Sequence, residues 1–334
     1  MPAIRRGAAV ALTLFALFGI APARAEVTEV KIAIQFGLVY LPVAVAEAQG
    51  YFASEARKQG LTDLKVSVQR FSGSPAVNDA VLSGNVEVGA YGVPGLLIAW
   101  DKTQGRMAIK GIAALAAHPF ILDTNKPNIK KLADFTDQDR IATPATTSPQ
   151  AILMRMAAQQ EFGPGQYARI DKLLVSMPHP DATAGLLAGT ISGYVATPPF
   201  IAPLAKSDKI HAVITSKQIL GGEEATGAAL GAAQKFVEAN PQTVAAIVAA
   251  LDDARAFIAK DPGAAADIWI KSESSKMPRA EVLQMLSDGT LSYSVAPTGI
   301  LKFAHFMAQT GEIKHEPKTW QDVFFPVLGG RKGS

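Results

Sequence analysis

Residues 71–94 read FSGSPAVNDAVLSGNVEVGAYGVP: a turn of small residues opens a helix, an apolar strand follows, and a second small turn opens the next helix. Gly84 ends the first predicted helix, and residues 86–90 form the predicted strand. Turns at the carboxyl ends of strands are where open α/β sheets bind small molecules. No reactive side chain accompanies these turns, so the pattern indicates binding rather than catalysis.

The same alternation extends along the chain in both directions. Residues 30–35 and 64–69 alternate as strands do, and from residue 140 a second unit repeats the order, with predicted strands at 140–143, 172–176 and 192–196. Two extended crossings, near 116–122 and 215–221, would join the units. The residues after 232 read mainly as helices that pack onto the first unit.

This order predicts an α/β protein of two lobes around a cleft, with mostly parallel sheets, two hinge crossings and a helical C-terminal region. We expect residues 26–117 to form the first part of lobe 1 and residues 118–216 to form lobe 2. Residues 217–334 would return to lobe 1 and supply the helical region.

The N-terminal segment has the features of a secretory signal peptide. Arg5 and Arg6 precede an apolar run at 8–20, and residues 23–25 place small side chains where a signal peptidase cuts. The run is too short for a permanent membrane span. We therefore expect residues 1–25 to be removed and the protein to be released into the periplasm.

Composition excludes several classes of function. The chain has no cysteine, which excludes thiol catalysis, iron–sulfur clusters and cysteine-based zinc sites. Residues 1–25 contain three arginines and no acid, so their removal lowers the formal charge from +3 to 0. A neutral chain is not expected to bind nucleic acid. The spacing of the His and Asp residues fits no metal site, and we expect neither metal nor cofactor.

A set of short motifs points to one family of proteins. They are Leu-Pro at 41–42, Gly-Tyr-Phe at 50–52, Phe-Ser-Gly at 71–73, Leu-Ser-Gly at 82–84, His-Pro-Asp at 179–181 and Pro-Pro-Phe at 198–200. Together they resemble the solute-binding proteins of ABC importers for nitrate, taurine and aliphatic sulfonates, over nearly the whole chain after the signal peptide. The resemblance implies a monomeric periplasmic receptor, not an enzyme, that closes on a small molecule and docks on an inner-membrane permease.

The resemblance also implies which turns contact the ligand. Lobe 1 would contribute Gln35, Phe36, Tyr40, Leu41, Ser72, Gly73, Ser74, Tyr91, Gly92 and Val93. Lobe 2 would contribute Thr143, Thr146, Thr147, Ser148, His179, Thr197 and Pro198.

The chemistry of these turns leaves two ligand classes open. Hydroxyls and backbone N–H groups at helix starts suit an oxyanion, so the leading prediction is an anion of the sulfonate, taurine or nitrate type. The same residues also serve as ordinary N-caps. Family members that bind sulfonate or nitrate often supply a basic residue, and these turns contain none. The alternative is therefore an uncharged or aromatic solute such as a thiamine-precursor pyrimidine.

Individual side chains near the cleft also have alternative interpretations. Tyr91, like Phe36 and Tyr40, would wall the pocket or pack in the core. His179 would donate to the ligand or lie on a surface turn, whereas His118, in the predicted hinge, is not expected to reach the ligand.

Glu223 lies near the second crossing and has two interpretations. Its carboxylate would meet a ligand amino group, as a taurine-like ligand requires, or belong to the hinge surface. We favour the hinge surface.

Two other classes of function remain open. Pyrimidine synthases of eukaryotic thiamine biosynthesis share this fold and are enzymes, but they carry a cysteine-rich motif and stay inside the cell. A periplasmic sensor that presents its ligand to a signalling receptor would have the same two lobes without serving an importer.

Overall fold

The computed structural model describes residues 25–334, so the predicted signal peptide up to residue 24 lies outside the described residues. The strands are β1 (Glu29–Ile34), β2 (Lys65–Arg70), β3 (Val88–Gly92), β4 (Ile109–Ala117), β5 (Ile121–Thr124), β6 (Ile141–Thr143), β7 (Leu174–Ser176), β8 (Gly193–Ala196), β9 (His211–Thr215), β10 (Thr226–Ala233) and β11 (Ser292–Tyr293). The helices are α1 (Leu41–Ala48), α2 (Tyr51–Lys58), α3 (Ser74–Leu82), α4 (Val93–Thr103), α5 (Pro149–Phe162), α6 (His179–Ala188), α7 (Ile201–Ala205), α8 (Ser216–Ile219), α9 (Gln234–Ala239), α10 (Pro241–Lys260), α11 (Pro262–Glu273), α12 (Arg279–Ser287) and α13 (Ile300–Gln309).

The strands form two sheets. The first has the order β11-β4-β10-β3-β1-β2 and the second the order β7-β6-β8-β5-β9. In the first sheet β1 pairs in parallel with β2 and β3, and in the second β6 pairs in parallel with β7 and β8, as the sequence predicts.

Both sheets are nevertheless mixed, because β10 and β5 run antiparallel to their neighbours. The chain passes from β4 to β5 and from β9 to β10, once in each direction between the sheets. A chain that leaves one sheet at the carboxyl ends of its strands enters a facing sheet in the opposite direction. The carboxyl ends of the parallel strands therefore face each other across the cleft.

The C-terminal helices pack on the first sheet, as expected from the sequence. Helix α10 contacts α1, α2 and β4, α11 contacts α1, and α13 contacts α4. The large apolar side chains of this region, among them Ile247, Leu251 and Phe303, are buried in the same core as β1 and β3. The helical region thus covers the first sheet rather than forming a separate layer.

Strand β10 is a central strand that the sequence does not predict. It lies between β3 and β4, and its sequence TGAALGAA consists mainly of small residues. Gly and Ala are depleted in strands, so no local preference marks this segment. Its residues are nonetheless buried, because helix α4 packs closely against it: a Cβ at Gly231 would lie 3.0 Å from Leu96.

After α13, a segment near the C-terminus forms backbone hydrogen bonds with β4. The N–H of Gly111 donates to the carbonyl of Val323 over 2.8 Å, and the N–H of Phe325 donates to the carbonyl of Gly111 over 2.8 Å. Between these bonds the Phe324 ring covers Gly111, where a Cβ would come within 2.4 Å of ring carbons. A glycine is needed here because the ring approaches the strand so closely.

We expect Gly111→Ala to lower the free energy of unfolding by about 1–3 kcal/mol, because the Phe324 ring must move to admit the methyl group. Urea denaturation measures the change. Gly330→Ala is the matched control, since nothing lies within 4 Å of its new Cβ, and it should change the free energy by less than about 0.5 kcal/mol. Equal losses in both variants would contradict this packing.

Candidate functional site

A small cavity of about 40 Å³ lies where the carboxyl ends of the two sheets meet. Its lining comes from both lobes and from the first crossing: Gln35, Phe36, Val39, Tyr40, Ser74, Gly92, His118, Phe120, Pro144, Ala145, Ser148, Pro149, Gln150, His179, Thr197 and Gly227. That volume has room for about three water molecules, whereas ligand pockets commonly measure about 300 Å³ or more. The two lobes are therefore closed on the site, and a larger ligand enters only when they separate.

The wall on the side of the first sheet is a buried hydrogen-bond network. Gln35 follows β1, and its Nε2 donates to the carbonyl of Ala90 over 2.9 Å and to Ser74 Oγ over 3.2 Å. Ser74 is the first residue of α3, and its Oγ also accepts from the N–H of Gly92 over 3.2 Å. These bonds tie together the ends of β1 and β3 and the start of α3.

His118 lies in the first crossing, between β4 and β5. Its side chain is 4% exposed, and its Nδ1 lies 3.0 Å from the carbonyl oxygen of Pro119. A carbonyl only accepts, so Nδ1 carries the proton. Burial lowers the pKa of His118 to about 4, which keeps the ring neutral at neutral pH.

His179 is held from two sides in the other lobe. It is the first residue of α6, not part of a surface turn as one interpretation of the sequence has it. Its Nδ1 lies 2.5 Å from the hydroxyl of Tyr194, its Nε2 lies 3.4 Å from Nε2 of Gln150, and its ring stacks on Phe200. Burial, and to a smaller extent the nearby His118, lowers the pKa of His179 to about 3.

Helix α5 begins at the cavity with a side-chain cap. Ser148 Oγ accepts from the N–H of Ala151 over 3.3 Å, and Pro149 occupies the first helical position. The Ser148 hydroxyl keeps its proton free to donate, and the helix presents its positive dipole end to the cavity.

The lobes approach each other closely around this cavity. A Cβ at Gly92 would lie 2.6 Å from Cδ of Pro149, so only a glycine allows this contact between β3 and the start of α5. Farther out, Arg155 on α5 pairs with Glu312 over 2.8 Å, and Lys206 on α7 pairs with Glu281 over 2.5 Å. Each of these ion pairs links the second lobe to the C-terminal region that packs on the first.

The structure brings together part of the predicted contact set. The residues that line the cavity are Gln35, Phe36, Tyr40, Ser74, Gly92, Ser148, His179 and Thr197. Those that do not line it are Leu41, Ser72, Gly73, Tyr91, Val93, Thr143, Thr146, Thr147 and Pro198. For the first set, contact with a ligand stays a prediction.

The residues outside the cavity have identifiable reasons for their positions. Ser72 and Thr146 are exposed, because the helices start at Ser74 and Pro149 and the turn residues before them face solvent. Thr143 is buried and donates to the carbonyl of Ala145 over 3.3 Å. Gly73 is buried and lies near the carbonyl of Pro144. Thr147 is half-buried outside the lining.

Tyr91 is a core residue and not a pocket wall. Successive side chains of a strand face opposite sides of the sheet, and in β3 the side chain of Tyr91 is fully buried while its neighbour Gly92 borders the cavity. Leu41 and Val93 belong to the same apolar core. Pro198 instead lines a separate cavity beside α7 and α12.

Several lining residues are not anticipated from the sequence. His118, which is outside the predicted contact set, also lines the cavity, because the crossing passes beside the ends of both sheets. Gly227 was missed together with β10, to which it belongs. In the sequence Gln150 has the features of an ordinary helix residue. The one feature that indicates a place at the cavity is its position directly after the Ser-Pro start of α5. Glu223, by contrast, is exposed and pairs with Lys302 over 2.8 Å.

The described residues lack two other kinds of feature. Between residues 25 and 334, no cluster of three or more His, Asp or Glu side chains could hold a metal ion. Within the same range, no helix has the length and apolar character needed to cross a bilayer.

Two α/β lobes that face each other across a cavity are the fold of the periplasmic solute-binding proteins. The sequence model of the NMT1-like family matches residues 23–270, and the chain belongs to that family. No curated protein matches the sequence.

Solved structures share this fold. The alkanesulfonate-binding protein of Xanthomonas axonopodis pv. citri, bound to MOPS, is 16% identical with a TM-score of 0.67, over 93% of this chain and 100% of that one. The periplasmic nitrate-binding protein of Synechocystis PCC 6803 is 15% identical with a TM-score of 0.67, over 91% and 86%. A protein of Bordetella bronchiseptica RB50 is 24% identical with a TM-score of 0.68, over 84% and 89%. The chain thus has the architecture of the nitrate- and sulfonate-type binding proteins.

We expect Gly92→Ala to hold the lobes apart, because its methyl group would collide with Pro149, whereas its backbone angles of −59° and 145° suit alanine. Small-angle X-ray scattering of the protein with its co-purified ligand should give a larger radius of gyration than the wild type. Gly73→Ala is the control, since its Cβ would lie 3.7 Å from the nearest atom of Pro144, an ordinary contact. A radius unchanged in Gly92→Ala would show that closure tolerates a side chain there.

The buried titratable groups also predict how stability depends on pH. His118 and His179 stay neutral in the folded protein below pH 6.5, where histidines of the unfolded chain take up protons, so their contribution is lost as the pH falls. Burial raises the pKa of Asp123 to about 7, so its contribution is lost as the pH rises from about 4 to 7. Each histidine therefore contributes about 1.4 kcal/mol per pH unit to the slope of the free energy of unfolding between pH 6 and 5, and Asp123, like Glu273 and Glu312, whose pKa burial also raises, acts in the opposite direction.

Urea denaturation at these pH values measures this slope. His118→Phe should flatten the slope, because one of the two histidines no longer contributes. Asp123→Asn should steepen it and remove the loss of stability toward pH 7. A slope that neither variant alters would mean that these groups are not buried as described.

Proposed function

We propose that this protein is the substrate-binding component of an ABC importer. As a monomer in the periplasm, it captures a small solute between its lobes and delivers it to a permease in the inner membrane. The observation that carries the proposal is the closed cavity between the carboxyl ends of two facing sheets, lined by hydroxyl, amide and imidazole groups. Such a lining binds through hydrogen bonds, and its histidines are paired with Tyr194, Gln150 and the Pro119 carbonyl rather than with a nucleophile.

The lining favours an uncharged polar or aromatic solute. Among the described residues that border the cavity, none is Lys or Arg, and burial lowers the pKa of both imidazoles so that neither carries charge at neutral pH. A bound anion would lose its hydration without gaining a counter-charge. Proline at the first or second position of α3, α4, α5 and α6 also removes an N–H donor from each helix start.

An anion of the sulfonate, taurine or nitrate type is the second candidate. Helix α5 starts at the cavity, and its positive dipole end attracts negative charge. The fold shared with an alkanesulfonate-binding and a nitrate-binding protein adds to this candidate.

Two measurements test the function and the ligand class. Mass spectrometry identifies the small molecule that co-purifies, and thermal melting compares a thiamine-precursor pyrimidine with methanesulfonate, taurine and nitrate. A ligand at a hundred times its dissociation constant stabilises the protein by about 2.7 kcal/mol. Shifts with the anions alone would favour the second candidate. Unchanged solute uptake after deletion of the gene would contradict the importer role, and lost signalling would favour a sensor.

We expect Ser74→Ala and Ser148→Ala each to weaken binding of the co-purified ligand by about 1 kcal/mol, because each removes one hydroxyl donor from the cavity. Isothermal titration calorimetry measures the affinities. Ser148→Ala also removes a helix cap and should cost about 1 kcal/mol of stability, so unfolding is measured in parallel. Ser72→Ala and Thr146→Ala are matched controls at exposed positions before the same helices, and a loss of affinity equal to that of the cavity variants would show that the ligand binds elsewhere.

A further inference from the structure

The amide orientation of Gln35 is fixed by its partners. Nε2 lies 2.9 Å from the carbonyl oxygen of Ala90, which only accepts, and its second hydrogen points to Ser74 Oγ. Both hydrogens of the amide are therefore used, and rotation by half a turn would place two carbonyl oxygens against each other. Within residues 25–334 no group donates to Oε1 of Gln35, so this acceptor is left for the cavity.

The Ser74 hydroxyl has the opposite polarity. Its oxygen accepts from Gln35 Nε2 and from the N–H of Gly92, which occupies both lone pairs. Its proton has no acceptor among the described residues. Ser74 is therefore a hydrogen-bond donor to whatever occupies the cavity.

His118 supplies a second acceptor. Its Nδ1 donates to the carbonyl of Pro119, so Nε2 carries a lone pair and finds no donor in the described part of the chain. Nε2 borders the cavity next to Gly227, where a Cβ would come within 2.2 Å of it. The Phe120 ring is centred 4.5 Å from the imidazole, His179 also lines the cavity, and burial lowers the pKa of His118 to about 4. The nitrogen thus remains an acceptor at neutral pH.

We infer, on the basis of the proposed function, that the cavity selects a neutral solute that presents N–H or O–H donors to Gln35 Oε1 and His118 Nε2 and an acceptor to Ser74. An amide, a urea or an amino-substituted heterocycle carries both kinds of group. Nitrate and alkylsulfonates only accept hydrogen bonds, so their oxygens would face the lone pairs of Gln35 and His118. A cation is equally unsuited, because none of the described residues lining the cavity is Asp or Glu.

Matched pairs of probes test this polarity at nearly constant shape. Urea and nitrate are both planar with three branches, and methanesulfonamide has a neutral NH2 group in place of the anionic oxygen of methanesulfonate. Calorimetric titration of the full-length mature protein at pH 7.5 should show urea and methanesulfonamide binding at least tenfold more tightly than their anionic partners. Tighter binding of the anions would overturn the inference and leave the binding function intact. Binding of none of the four probes would overturn the inferred polarity, whereas the importer role is judged separately by solute uptake after deletion of the gene.

Variants and a direct observation of the proton complete the test. Gln35→Met removes the Oε1 acceptor at similar volume and should reduce the preference for urea over nitrate by at least threefold; it also removes the two Nε2 bonds to Ala90 and Ser74, so unfolding is measured in parallel. Gln104→Met, at an exposed position, should preserve the preference. Nitrogen-15 NMR of the unmodified protein reports the tautomer of His118 without relying on a folded variant. A proton on Nε2 at pH 7.5 would overturn the inference, and a proton on Nδ1 alone supports it.

Discussion

The buried amide of Gln35 is the constraint on which the site depends. It joins the end of β1 to Ser74, 39 residues away, and to Ala90, 55 residues away. Parallel strands bring their carboxyl ends to one edge of a sheet, but they do not by themselves fix how the following turns meet. The two bonds of one amide do so, and they also determine which atoms are left to a ligand. An unmade bond here would leave a buried donor unsatisfied, at a cost of about 1–3 kcal/mol.

Closure of the cleft over this edge of the first sheet is what makes the site selective. Gly92 contacts Pro149 directly, so the backbone of β3 in one lobe packs against the proline ring at the start of α5 in the other. Little space therefore remains between the lobes. In a cavity this small, each polar atom of the lining either has a defined hydrogen-bond partner or has none. On the polarity we infer, recognition would depend on the direction of each hydrogen bond and not on net charge. This explains how a binding protein of the nitrate and sulfonate architecture can lack a cation among its described cavity residues.

The sequence predicts the parts of this arrangement that local chemistry encodes. The small turn before Pro75 and the Ser-Pro step at 148–149 mark helix starts, and Ser74 and Ser148 both reach the cavity. Strand β10 cannot be predicted because its alanines and glycines have no strand preference. Small residues occur there because helix α4 approaches the strand closely. For Tyr91 the sequence leaves pocket wall and core both open, because the side of the sheet that a strand residue faces depends on a register that local chemistry does not encode. His118 was missed because its role comes from the path of a crossing, which no local pattern reveals.

The position of His118 couples recognition to closure. The residue lies between β4 in one sheet and β5 in the other, on a segment that must change direction when the lobes separate. Its Nε2 lies beside Gly227 of β10, the strand that follows the second crossing, so the first connection between the lobes borders the cavity. A ligand shifts an open–closed equilibrium only by the difference in its affinity for the two states. A hydrogen bond from a ligand to His118 would therefore favour the closed arrangement to the extent that separation of the lobes breaks it.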